Sequence, residues 1–209
     1  MAKLESSFKN MLLSLLIISA GMSGALGFVY SLTKGPIEIA NKQAEVQAIK
    51  EVLPTFDNDP TAELKSIDGL DYYVATIQGQ PAGYAVKTFT DKGFSGKFTL
   101  MVGFKPDGSI NNISVLDQKE TPGLGTKMKE PKFRNQFLDK NPAIFTLKVK
   151  KDGGQVDAIT AATISSRAYC DAVQKAYHGF LQNLAKNDES PDSDSLVSDT
   201  TNLSKGGQK

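Results

Sequence analysis

The amino-acid sequence predicts an α+β protein in which an N-terminal transmembrane helix precedes one domain built from an antiparallel sheet and flanking helices. Three features carry that prediction. An uncharged apolar stretch lies close to the N-terminus, segments of period two succeed one another through the middle of the chain, and helix-period segments stand on either side of them. Strands in a run, with helices segregated toward the ends, is the pattern of a helix-covered antiparallel sheet rather than of alternating βαβ units.

Residues 1–9 form a short stub carrying Lys3 and Lys9. Residues 10–33 read NMLLSLLIISAGMSGALGFVYSLT, 24 residues without a charge or a proline. At about 1.5 Å per residue they cross the roughly 30 Å hydrocarbon layer as a single helix. A cleaved signal peptide is the competing reading, with Lys3 and Lys9 as its basic region, Leu12 to Ile18 as its apolar core and Ser23-Gly24-Ala25 as its cleavage site. The apolar run continues past that site through Leu26, Phe28 and Val29, which favours the anchor. Small residues recur at four-residue spacing, Ala20 to Gly24 and Ser23 to Gly27, as in close helix pairs or by chance. Lysines flank both ends of the stretch, so charge alone does not orient it. The short stub and the long following chain favour a cytoplasmic N-terminus and an exported domain.

Over residues 34–54, Ile37, Ala40, Ala44, Ala48 and Val52 keep helical spacing between Pro36 and Pro54, which reads as a connecting helix. The domain proper is expected over residues 55–185. Tyr73, Ala75 and Ile77 alternate, as do Tyr84, Val86 and Thr88 after the turn at Gln80-Pro81. Lys97 to Phe104 and Ile110 to Leu116 form a further hairpin about Pro106-Asp107-Gly108. A short helix at Pro131 to Leu138, a strand at Ile144 to Lys150 and a helix from Ile164 to Leu184 follow. Residues 186–209 turn to Asp, Ser, Asn, Thr and Gly; such a tail buries too little to offset its ordering entropy and is expected to be disordered.

Composition narrows the chemistry. The 24 Lys and Arg against 23 Asp and Glu leave no basic surplus for a nucleic-acid binder. One Cys cannot build a disulfide framework, and one Cys with one His supply few ligands for a metal centre, so no metal site and no catalytic side chain is expected. His178, inside the last helix, and Cys170, near its start, read as ordinary helix residues. Mean hydropathy is mildly negative, −0.26, although one segment is strongly apolar.

Two stretches carry candidate chemistry. In Asp157-Ala158-Ile159-Thr160-Ala161-Ala162-Thr163-Ile164-Ser165-Ser166, small and hydroxyl residues lead into a helix whose Ala168, Ala172, Val173, Ala176, Phe180 and Leu184 form an apolar side. Thr163 and Ser165 fall at its N-terminus, either as caps or beside a bound anion. In Glu120-Thr121-Pro122-Gly123-Leu124-Gly125-Thr126-Lys127, a proline and two glycines make a bend whose backbone can approach a ligand, with Lys127 placed to face a phosphate; a surface turn is the plain alternative.

Together the two stretches resemble the FMN-binding domain of the RnfG and NqrC flavoprotein family. There, a flavin transferase joins FMN through its phosphate to a threonine in a motif like Asp-x-x-Ser/Thr-Gly/Ala-Ala-Thr-x-Ser/Thr. Thr163 matches the acceptor, Glu120 to Gly125 match the family's Glu-Thr-Pro-Gly-Leu-Gly loop, and Gly83-Tyr84 match a preceding strand. The one departure is Ala161, where glycine is common. The likeness extends from Met1 to Leu184. It implies covalent FMN on Thr163, with Glu120, Thr121, Gly123, Leu124, Gly125, Lys127, Thr160, Ala162, Ile164 and Ser165 as cofactor-binding residues. Leu124, Met128, Tyr84 and Phe94 are candidates to pack on the ring. The small size favours an Rnf-type complex, in which ferredoxin:NAD electron transfer is coupled to ion translocation, with iron–sulfur and membrane subunits as partners and the domain outside a bacterial inner membrane. An NqrC-like member of a sodium-translocating NADH:quinone reductase and a non-redox anchored adaptor are the alternatives. No dinucleotide fingerprint follows a strand, so NAD binding by this chain is not expected.

Overall fold

In the computed structural model, which describes residues 7–185, the apolar stretch and the segment after it form one helix, α1 (Phe8–Val52). The tail at 186–209 and most of the stub lie outside the described residues. The stretch expected as a connecting helix, residues 34–54, is helical as far as Val52 and runs on from the apolar stretch without a break, with Pro36 inside α1. A proline removes one intrahelical hydrogen bond, and the stretch from Ile37 to Val52 then continues the helix without another proline or glycine.

The chain divides into two compact units, residues 1–46 and 47–209. In the first, none of the most apolar window of α1 is buried, and Leu12, Leu15, Leu16, Ile17, Ile18 and Leu26 are all exposed. The helix satisfies its own polar groups: Ser14 Oγ donates to the Asn10 carbonyl at 2.8 Å and Thr33 Oγ1 to the Val29 carbonyl at 2.9 Å. Exposed apolar surface on that scale, with hydroxyls returned to the backbone, is what a helix in hydrocarbon requires.

The second unit holds an antiparallel meander in the spatial order β1 (Lys65–Ile67), β2 (Leu70–Ile77), β3 (Gln80–Gly93), β4 (Gly96–Phe104) and β5 (Ile110–Asp117). Alternation sends its side chains to two cores. Tyr72, Tyr84, Val86, Phe98, Leu100, Val102 and Phe104 pack with α3 (Thr163–Phe180) through Ala168, Tyr169, Ala172, Val173, Ala176 and Phe180. Tyr73, Ala75, Ala85 and Met101 pack with Ala48, Ile49, Val52 and Leu53, so the last turn of α1 covers the second face of the sheet. At Gly103 a Cβ would stand 2.0 Å from the Val52 carbonyl oxygen, and this contact needs glycine.

Small residues bring α3 close to β3. Thr88 Oγ1 donates to the Ala172 carbonyl at 3.1 Å and Thr90 Oγ1 to Asp171 Oδ2 at 3.0 Å, so the buried threonines of the sheet are satisfied by the helix. Two local expectations fail. The helix at Pro131 to Leu138 shortens to α2 (Pro131–Arg134) and a turn. The strand expected at Ile144 to Lys150 is a loop whose pairing is confined to one isolated parallel bridge, Val149 to Val156; Leu147 and Val149 are buried without a ladder extending from that bridge.

Candidate functional site

The loop after β5 begins with a turn written in its sequence. Leu124 N–H donates to the Thr121 carbonyl at 3.1 Å, with Pro122 second and Gly123 third at φ +74°, the positions a type II turn reserves for proline and glycine. Thr126 Oγ1 accepts from Gly123 N–H at 2.9 Å and holds the turn from below. The chain then enters a 3₁₀ turn, Gly125–Lys129.

A second turn launches α3. Ala162 N–H donates to the Ile159 carbonyl at 3.0 Å, and Ala161 sits third in this turn at φ +60°. Ser166 fastens it, accepting from Ile159 N–H at 2.9 Å while donating to the Ala162 carbonyl at 2.9 Å. The N-cap residue is therefore Ala162, which has no side-chain oxygen. The expected alternative of a helix capped by Thr or Ser does not hold: Ser165 Oγ turns aside to Glu120 Oε2 at 2.7 Å, and Ser166 is spent on the turn. The first N–H groups of an 18-residue helix are left without a cap from the preceding residue, and they carry the positive end of its dipole.

The two turns meet across a cavity of about 320 Å³ lined by Phe94, Glu120, Thr121, Leu124, Gly125, Ala161, Ala162, Thr163, Ile164 and Ser165. Residues some forty positions apart in sequence thus share one wall. Of the site residues expected from sequence, Gly123, Lys127 and Thr160 are not on it: Gly123 makes the turn, Lys127 lies in the 3₁₀ segment, and Thr160 is exposed in the turn before α3. Among the ring-packing candidates, Phe94 (66% exposed) and Leu124 (38% exposed) face the cavity, whereas Tyr84 and Met128 are buried in the core. Sequence reasoning missed the hairpin contribution of Ser95 and the partnership of Glu120 with Ser165, because neither leaves a local pattern.

Glu120 is the one ionisable residue on the wall and is 4% exposed. Its Oε1 accepts from Ser95 N–H at 3.2 Å and its Oε2 from the Ser165 hydroxyl. The nearest arginine of α3 is committed elsewhere: Arg167 grips Asp152 with two bonds of 2.7 Å, which holds the Asp152 carboxyl below the usual carboxylate range. Burial pushes the Cys170 thiol up to about 12, so the dipole effect invited by its place in α3 does not govern it. His178 is exposed. Among the described residues no group of three His, Cys, Asp or Glu is placed to hold a metal ion.

The wall suits a flavin phosphate. It offers uncapped N–H groups beside a threonine hydroxyl, apolar rims in Phe94, Leu124 and Ile164 for a flat ring, and a volume within the roughly 300–1,000 Å³ of small-molecule sites.

Comparison with known proteins identifies the domain and its relatives. Residues 93–178, which include the whole cavity wall, match the family model of the FMN-binding domain. The chain is 35% identical over 174 residues to the G component of the ion-translocating oxidoreductase complex of Methanosarcina acetivorans, covering 80% of this chain and 91% of that protein. It is 32% identical over 191 residues to the G component of the Na(+)-translocating ferredoxin:NAD(+) oxidoreductase complex of Acetobacterium woodii, covering 83% and 91%. A solved structure, the C component of the Na(+)-translocating NADH-quinone reductase from Parabacteroides distasonis, matches with a TM-score of 0.45 and 24% identity over 63% of this chain and 78% of that one. With its FMN-binding domain, and with G-component relatives aligned over nearly their whole length, the chain belongs to the G-component family of ion-translocating oxidoreductase complexes.

Proposed function

We propose that this chain relays electrons through FMN joined by its phosphate to Thr163, within an Rnf-type complex that couples ferredoxin:NAD electron transfer to ion translocation. Family membership supplies the coarser part: an electron-transfer flavoprotein within an ion-translocating oxidoreductase complex, working with other subunits. The observation that carries the finer part is Thr163 standing first in α3, on the cavity wall, behind an alanine N-cap. The FMN supplies redox chemistry that no side chain here has.

The residues divide that task. Thr163 gives the ester oxygen. The N–H groups opening α3 face the charge of the phosphodiester, and the bend of Thr121 to Gly125 closes the opposite wall. Phe94, Leu124 and Ile164 offer apolar surface that keeps water from the ring. Cofactor contacts from Gly123, Lys127 and Thr160 are indirect in this reading, through the shape of the two turns. A threonine hydroxyl is a weak nucleophile without a base, and the wall holds no imidazole or thiol, so attachment falls to a separate flavin transferase drawing on an activated flavin. Residues 10–33 serve as the membrane anchor, residues 34–54 as the connection and residues 55–185 as the flavin domain. The N-terminus lies in the cytoplasm of a bacterial cell and the domain on the far side of the inner membrane.

The test is a mass measurement. Protein co-produced with a flavin transferase should gain one FMN and show in-gel fluorescence after denaturation, and Thr163→Ala should show neither. A flavin mass that survives Thr163→Ala refutes the acceptor. Iron–sulfur subunits are expected to co-purify; a quinone-site partner in their place would assign the chain to the other pump.

A further inference from the structure

Glu120 is used by nothing in the attachment of the cofactor, yet the site is built around it. Its carboxylate lies on the cavity wall, 4% exposed, and its two oxygens accept from neutral donors: Ser95 N–H at the tip of the β3–β4 hairpin, and Ser165 Oγ in the first turn of α3. Two glycines leave room for it. A Cβ at Gly93 would stand 2.7 Å from Oε1, and one at Gly125 would stand 2.5 Å from Oε2 and 2.7 Å from the Glu120 Cβ. The Glu120 N–H is itself fixed by Gln118 Oε1 at 2.6 Å. Three segments distant in sequence therefore converge on one carboxylate, with no lysine or arginine on the wall to neutralise it.

Resting on the reading of this cavity as the flavin site, we propose that Glu120 is a positioning residue that joins the hairpin to α3 and, as a fixed negative charge on the wall, holds the reduction potential of the bound flavin down. An electron arriving on the cofactor adds negative charge inside a partly enclosed space already bounded by a carboxylate. Coulomb repulsion is strong where water is scarce, so the oxidised form is favoured. A neutral residue of the same shape would keep the wall and lift the repulsion.

Two variants separate charge from scaffold. Glu120→Gln keeps the shape and removes the charge. Ser165→Ala keeps the charge and removes one of its hydrogen bonds, leaving it less compensated. Both are co-produced with a flavin transferase, checked for flavin mass, and titrated spectrophotometrically for the midpoint potential. Glu120→Gln is expected to move the potential positive and Ser165→Ala negative. A Glu120→Gln potential at or below wild type overturns the proposal. So does a Ser165→Ala potential that is unmoved or moves positive, which a purely structural role would produce, and this variant decides the matter alone should Glu120→Gln not fold. Wild-type protein that gains no flavin overturns the reading of the site, and the proposal with it.

Discussion

Ala161 is the residue at which the motif departs from the commoner glycine, and the structure shows what the departure costs. It takes φ +60° at the third position of the turn closed by Ala162 N–H and the Ile159 carbonyl. For an L-residue the left-handed region costs about 1–2 kcal/mol through the crowding of Cβ against the carbonyl. Glycine escapes that cost but returns about 0.4–1 kcal/mol of freedom to the unfolded chain. Midway values leave Ala161→Gly stabilising by about 0.8 kcal/mol, which in a unit of this size is about 3 °C in Tm. Thermal melts followed by circular dichroism, with urea titrations to confirm an unchanged slope, measure the difference. Ala162→Gly is the control, because Ala162 has φ −134° and is 7% exposed, so it should lose stability instead. An Ala161→Gly protein melting at or below wild type, with the same urea slope, would refute the claim that this turn is strained by its side chain.

Three more outcomes follow from the packing. A chain starting at Gln47 should melt cooperatively, whereas one starting at Thr55 should not: it lacks Ala48, Ile49, Val52 and Leu53, whose burial contributes on the order of 6 kcal/mol, comparable with total domain stability. Equal melting temperatures would show that the end of α1 is no part of the core. Gly103→Ala should destabilise by about 3 kcal/mol, since its Cβ meets the Val52 backbone and not a movable side chain; chemical denaturation within about 0.5 kcal/mol of wild type, the margin of an ordinary surface change, contradicts that contact. The Cys170 thiol, raised by burial to about 12, is protonated at pH 8 with a thiolate fraction on the order of 10⁻⁴. Native protein should resist iodoacetamide until denatured, and labelling at the rate of a free thiol would place Cys170 outside the core.

The sheet was legible wherever one strand face differs from the other in kind. The strands expected around Tyr73–Ile77, Tyr84–Thr88, Lys97–Phe104 and Ile110–Leu116 lie within β2 to β5, whose two faces enter two cores. The turn expected at Gln80-Pro81 instead falls at Gln78-Gly79, where both residues take positive φ, and Gln80 and Pro81 already pair in β3. β1 was not legible: Lys65, Ser66 and Ile67 are all exposed and carry no alternation. Ile144 to Lys150 reads as a strand in sequence, and Leu147 and Val149 are buried at alternate positions as a strand's would be, but pairing stops at the single bridge from Val149 to Val156, which no local pattern reveals. The helical spacing from Ile37 to Val52 was legible too, and Pro36 does not interrupt it, since a proline weakens a helix locally without dictating that the chain turn. At the site, the Pro122-Gly123 turn and the start of α3 were written in local sequence. Their meeting across the cavity depends on the register of β4 and β5 and on how close α3 lies to β3, which no local pattern encodes.

The charge arrangement of the site follows from that convergence. Sequence nominated Lys127 to balance a phosphate, a natural choice when a cation stands four residues beyond a glycine bend. The structure leaves it off the wall, where the only ionisable residue is an acid. What the wall offers an anion is the start of α3, whose N-cap Ala162 has no side-chain oxygen, while the Ser165 and Ser166 hydroxyls inside the helix are engaged by Glu120 and by the turn. Had a Ser, Thr or Asp stood at the position of Ala162, its side chain would already satisfy one of these N–H groups and partly spend the dipole. The small residues before Thr163 and the acid in the distant loop thus serve one end. They leave a helix N-terminus without a side-chain cap next to Thr163, which is the arrangement on which the proposed attachment rests.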